Sequence, residues 1–137
     1  MQTQYTTAYL QGLGTGGVDF SADTFKVALY TSAATLDADT SAYTATGEVT
    51  GTGYTAGGAT LSAASTYPKI ADGKYALQFD DATWATSTIT ARAALIYDAT
   101  ASNLACLIID FGQDVASSGQ PFTLKFSAMT RPALEIG

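Results

Sequence analysis

Hydrophobic and polar residues alternate with a period of two along most of the chain. In "FKVALY" Phe25, Val27 and Leu29 fall on one face and Lys26, Ala28 and Tyr30 on the other, the pattern of a strand with one side on a core. "YALQF" repeats it with Tyr75, Leu77 and Phe79, and "PFTLKF" with Phe122, Leu124 and Phe126. These three stretches predict half-buried antiparallel strands. "ARAALIY" and "NLACLIIDF" are apolar on both faces, as central strands covered on each side would be, and the turn-like "DATASN" from Asp98 to Asn103 predicts a hairpin between them. "GATLSAA" (Gly58 to Ala64), "TWATSTIT" (Thr83 to Thr90) and the terminal "ALEI" are further strand candidates.

Turn material separates these runs: "ADG" (Ala71 to Gly73), "FDDA" (Phe79 to Ala82) and "GQDVASSGQP" (Gly112 to Pro121). Eight or nine short strands at that spacing predict an all-β chain, an antiparallel β-sandwich or small barrel. The first dozen residues depart from the pattern. Tyr5, Tyr9 and Leu10 share one side at helical spacing and Gly12 is a stop signal, which predicts a short N-terminal helix. The segment from Thr31 to Thr46 is too long for an ordinary hairpin turn, and is expected to lie over the sandwich or reach to a neighbour. Without an internal repeat or a linker, residues 1–137 read as a single domain.

Composition narrows the picture. Of the 137 residues 47% are hydrophobic, enough to offset chain entropy and fold, and a domain of this size buries roughly two-thirds of the surface its unfolded chain exposes. Only 13% are charged, well below the roughly 25% of an ordinary soluble domain. Thr, Ala, Ser and Gly fill the difference, so the surface reads as neutral and hydroxyl-rich, suited to dense packing in an assembly. The net charge is −6, and the six basic residues, Lys26, Lys69, Lys74, Arg92, Lys125 and Arg131, are scattered. That argues against nucleic acid as a partner, since its binding draws on clustered cations. "MQTQYTTAYLQGLG" has neither the basic start nor the apolar run of a secretion signal, and no run predicts a membrane span. Cytosolic synthesis without export is the expectation.

Candidate chemistry is sparse. The chain has no histidine, so the commonest general base and transition-metal ligand are missing and histidine-assisted nucleophiles are excluded. The single cysteine, Cys106, lies in the apolar run "LACLIID" and reads as a small buried hydrophobe. Asp80 and Asp81 follow a strand where a turn is wanted, and Asp37 and Asp39 lack the other ligands of a calcium loop, so both pairs read as turn or loop residues. Trp84, in a strand pattern, is expected in the core. Tyr43, Tyr54 and Tyr67 are left open between core and an exposed sugar-stacking platform. No enzyme activity, cofactor or metal is expected.

Glycine distribution carries more information. "GLGTGG" (Gly12 to Gly17) matches a dinucleotide-binding fingerprint letter for letter, but a helix pattern precedes it and a strand pattern follows, the reverse of what pyrophosphate binding requires. "GEVTGTGYTAGGATL", from Gly47 to Leu61, holds five glycines around Tyr54 with no P-loop lysine. Glycine in a strand-rich segment costs roughly 0.5–1 kcal/mol relative to Ala, so their density implies a bent path or a close backbone approach.

The run "DTFKVALYTSAATLDADTSAYTATGEVTGTGYTAGGATL", then "ATWATSTITARAALIYD" and "LIIDFGQDVASSGQPFTLKF", resembles a family of small tailed-phage and prophage virion proteins, several separated blocks matching in order from about Tyr5 to Phe126. Ala93 stands where relatives often carry glycine. The resemblance implies a capsid decoration or cement protein with a jelly-roll-like β-sandwich. Its implied place is the outside of an icosahedral head, assembled in the bacterial host cytoplasm, with the phage major capsid protein and sister copies (a homodimer or homotrimer) as partners. A tail or fibre component, such as an adhesin for host glycans, is the alternative. The expected contacts with capsid or sister subunits are Gly51, Gly53, Tyr54, Gly57 and Gly58 of the glycine loop, with Leu36 and Tyr43 of the preceding excursion. Tyr54 is then either an anchor on a partner or a ring packed within its own sandwich.

Overall fold

The computed structural model describes residues 2–5, 23–37, 39–61, 69–71, 74–77, 80–124 and 134–136. All regular structure among them is strand: β1 (Gln2–Tyr5), β2 (Phe25–Tyr30), β3 (Ala59–Thr60), β4 (Lys69–Ala71), β5 (Lys74–Leu77), β6 (Ala82–Asp98), β7 (Leu104–Leu124) and β8 (Leu134–Ile136). They make a five-stranded sheet in the order β1-β7-β6-β2-β3 and a three-stranded sheet in the order β4-β5-β8, every pairing antiparallel. The described residues are all-β, as the alternation predicts.

Gln2–Tyr5, expected in a helix, is strand β1 instead, running opposite β7 from Gln2↔Asp110 to Tyr5↔Leu107. A free sheet edge offers backbone partners to a stretch in which Thr3 and Tyr5 weaken the helical preference. The rest of the expected helix, residues 6–12, lies outside the described residues, as do "GLGTGG", Tyr67, Phe79 and Phe126.

The β6–β7 hairpin dominates the larger sheet. Its turn is built from Asp98, whose Oδ1 accepts the amides of Thr100 at 3.0 Å and Ala101 at 3.1 Å, and from Ser102 and Asn103 at φ 56° and 60°, a conformation that a short polar residue such as Asn tolerates well. "TWATSTIT" and "ARAALIY", expected as separate strands, are one continuous β6. Its buried positions run Ala82, Trp84, then Ser87, Ile89, Ala91, then Ala94, Ile96, Asp98. Each step of three coincides with a register shift against β7, between Trp84 and Ser87 and between Ala91 and Ala93. Between Trp84 and Ser87 β6 advances three residues against two of β7, a one-residue bulge that flips its inward face; between Ala91 and Ala93 it advances two against five, so there the extra residues lie on β7. Ala93 sits at the second shift.

"GQDVASSGQP" is a correction. It is not a turn but the outer half of β7, paired through Ser87↔Gln120, Thr88↔Ser118, Ile89↔Ser117 and Ala91↔Val115. Its Gly and Ser favour turns locally, yet a long amphipathic partner strand supplies ladder bonds and hydroxyl contacts such as Ser87 Oγ to Ser117 Oγ at 2.7 Å, and cross-strand pairing outweighs propensity.

β2 is also buried more fully than its alternation predicts. Phe25, Val27 and Leu29 join Trp84, Ile89, Ile96, Leu107, Ile109 and Phe122 on one face of the sheet. Ala28 and Tyr30 join Leu95, Tyr97, Ala105 and Ile108 on the other, beneath Ala34, Leu36 and Tyr43. The Thr31–Thr46 excursion therefore folds over its own sheet, held by Tyr43 N to Asn103 O at 2.9 Å and Ala105 N to Ser41 O at 3.0 Å.

Candidate functional site

The glycine loop and the excursion meet at one carboxylate, Glu48. It is buried, and a buried carboxylate is tolerated only when donors surround it. Tyr43 donates its hydroxyl to Oε1 at 2.5 Å. Tyr54 donates to Oε2 at 2.6 Å, and the Gly57 amide to the same oxygen at 2.8 Å. Three charge-assisted bonds thus join two loops and a turn.

The network extends into the sheet. β3 pairs with β2 only at Lys26 and Val27, which would leave the backbone of Leu29 without a ladder partner. The Tyr54 hydroxyl accepts the Leu29 amide at 2.9 Å, and the Val49 amide donates to the Leu29 carbonyl at 2.9 Å, so the loop completes the ladder beyond the end of β3. Tyr97 donates to the Gly57 carbonyl at 2.6 Å and its ring stacks on Tyr43 with centroids 5.0 Å apart. Tyr30 donates to the Thr44 carbonyl at 2.7 Å. Burial first, and Glu48 second, push the Tyr43 hydroxyl up to about 12, and burial likewise raises Tyr30, Tyr54 and Tyr97. All four remain protonated donors across the neutral range.

The glycines answer to backbone proximity. A Cβ on Gly53 would land on the Thr86 carbonyl oxygen, and one on Gly58 on that of Val27, with φ at +84° and +80°. The loop lies directly on β6 and β2, closer than any side chain permits. Gly51 meets the Thr88 carbonyl in the same way, beside the Thr52↔Thr88 bridge.

Each of the expected contact residues thus has a place within the chain. Tyr54 is half-buried, its ring 6.0 Å from that of Trp84. Tyr43 and Leu36 pack on the second face of the sheet, and Leu36 also lines a cavity of about 300 Å³ with Thr31, Ser32, Arg92 and Asp110. There Arg92 Nε lies 3.5 Å from Asp110 Oδ1, and the Gly112 amide, ahead of Arg92, holds Asp110 below the usual carboxylate range. What remains outward is the loop tip, with Thr50 to Gly53, Thr55 and Ala56 exposed. Trp84 is in the core and Cys106 is buried, as expected. Asp37 and Asp39 form an exposed turn closed by the Asp39 amide on Asp37 Oδ1 at 2.9 Å.

Neither residue type nor motif marks Glu48 in the sequence. A signal for it exists, because it is the one charged residue between Asp39 and Lys69, and a lone acid among glycines and tyrosines has donors at hand. Compared with known proteins, the chain matches no family model, no curated protein and no solved structure.

Proposed function

We propose that the protein is a decoration protein of a tailed-phage head. It binds the outside of the assembled icosahedral shell and stabilises contacts between major capsid subunits, acting as a homodimer or homotrimer whose two sheets close into a jelly-roll-like sandwich. One observation supports the reading above the others: the Glu48 clamp fixes a glycine loop on the sheet and turns an uncharged, hydroxyl-bearing tip outward. A loop ordered before it binds loses little entropy on docking. The order of the sequence blocks shared with phage virion proteins points the same way.

The mechanism needs no reactive group. A protein that binds the assembled shell better than its free subunits stabilises the shell by linkage. Contacts of about 800 Å² per partner suffice, because a copy bridging two subunits gains from effective concentration. Neither nucleic acid nor a membrane takes part.

Loop-tip substitutions test the proposal. Thr52→Asp and Thr55→Asp put charge on exposed positions, and occupancy on purified heads should fall at least tenfold while the thermal midpoint of the free protein stays unchanged. Wild-type occupancy for both variants contradicts a docking role for the tip. Recovery of the wild-type protein with tails alone supports the tail or fibre reading instead.

A further inference from the structure

Asp98 is the second buried acid of the described core, and its environment is unlike that of Glu48. Its side chain has no exposed surface. Oδ1 is occupied by the turn amides of Thr100 and Ala101, whereas among the described residues no N–H or hydroxyl donor reaches Oδ2. Against it stands another acid, Asp23, in the lead-in to β2. Backbone bonds hold the two segments together: Ala99 N to Thr24 O at 2.8 Å, Thr24 N to Thr100 Oγ1 at 2.9 Å, and the Phe25↔Asp98 pairing. Two acceptors confined face to face cannot both stay ionised without loss, and one proton between them turns repulsion into a hydrogen bond.

We propose that Asp98 carries a proton that it donates to Asp23, and that this acid–carboxylate pair is a pH-responsive latch between the lead-in to β2 and the tip of the β6–β7 hairpin. With the proton in place, Asp98 donates to Asp23 and the latch is closed. When the proton leaves, the two carboxylates repel and Oδ2 is a buried anion without a partner.

Among the described residues, the ionisable groups facing Asp98 are few. Asp23 comes from the lead-in, and from β7 the thiol of Cys106, which donates to the Leu104 carbonyl at 3.4 Å and is itself pushed up by burial and then by Asp98. Lys26 is paired with Tyr97, so strand alternation sends it to the opposite face. Burial and then Asp23 raise Asp98 to about 7. Because this folded value lies above the ordinary unfolded one near 3.9, the folded state holds the extra proton. Stability from the latch is fully present below pH ~4 and is lost as pH rises towards and through ~7.

The test compares wild type with Asp98→Asn, whose amide keeps an oxygen for the turn and offers Asp23 a permanent donor. From pH 4 to 8 the wild-type folding constant should fall, relative to the variant, by roughly a hundred- to a thousandfold. Above pH 7 the variant should melt higher. Parallel pH profiles for the two proteins, or a variant that melts lower at pH 8, overturn the proposal. Should Asp98→Asn fail to fold, carboxyl carbon NMR of the labelled wild-type protein gives the answer directly. An Asp98 midpoint near 7 that moves down in Asp23→Asn supports the latch, and a midpoint near 4 overturns it.

Discussion

At the scale of single residues, Glu48 decides how two loops sit on the sheet. Removing it strands the hydroxyls of Tyr43 and Tyr54 and the amide of Gly57, and each unmet buried donor costs about 1–3 kcal/mol. Glu48→Ala should therefore lower stability by ~3 kcal/mol or more in urea denaturation, a large part of the total for a domain of this size. Tyr54→Phe keeps the ring on Trp84 but leaves the Leu29 amide without its acceptor, for a loss of about 1–3 kcal/mol. A change below experimental error in both would show that the cluster does not hold the loop. The residue types here were legible in part. Tyr54 stood out in the sequence through the glycines around it, but its hydroxyl's two partners, Glu48 and the Leu29 amide, come together only because β3 stops short, which no local pattern records.

At the scale of elements, the strands were easier to read than their ends. "FKVALY" corresponds to β2 residue for residue, and the hairpin at "DATASN" follows from apolar runs on both sides of a turn. Lengths were harder, because a bulge between Trp84 and Ser87 changes the inward face of β6 and extra residues of β7 opposite Ala91 and Ala93 shift the register again, so that one strand reads as two. The outer half of β7 was hidden for a related reason: its glycines and serines signal a turn, and only the partner strand makes them a ladder. The same contrast governs the glycines. Gly58 and Gly119 both have positive φ, but a Cβ on Gly58 meets the Val27 carbonyl and one on Gly119 meets nothing within 4 Å. Gly119→Ala should cost about 1–2 kcal/mol from backbone strain alone, whereas Gly58→Ala adds overpacking of about 1–3 kcal/mol. Equal losses by thermal denaturation would place the origin of both in conformational preference, not in the loop's contact with β2.

At the scale of the whole molecule, alternation along the strands predicts the antiparallel sheets found among the described residues, and the excursion's length predicts a segment that lies over the sheet or reaches a neighbour, of which the first is found. Both faces of β2 are buried because that cover is supplied by the chain itself, a contact between segments that periodicity in one strand cannot encode. Low charge, an outward loop tip and a clamped base are the features on which the proposed decoration role rests. The most direct test is an image reconstruction of purified phage particles carrying the wild-type protein. Density for this chain is predicted on the outer face of the head, bridging neighbouring shell subunits with the Gly51–Gly58 loop towards them. Density confined to the tail, density inside the head, or particles that lack the protein altogether would contradict a role as head decoration.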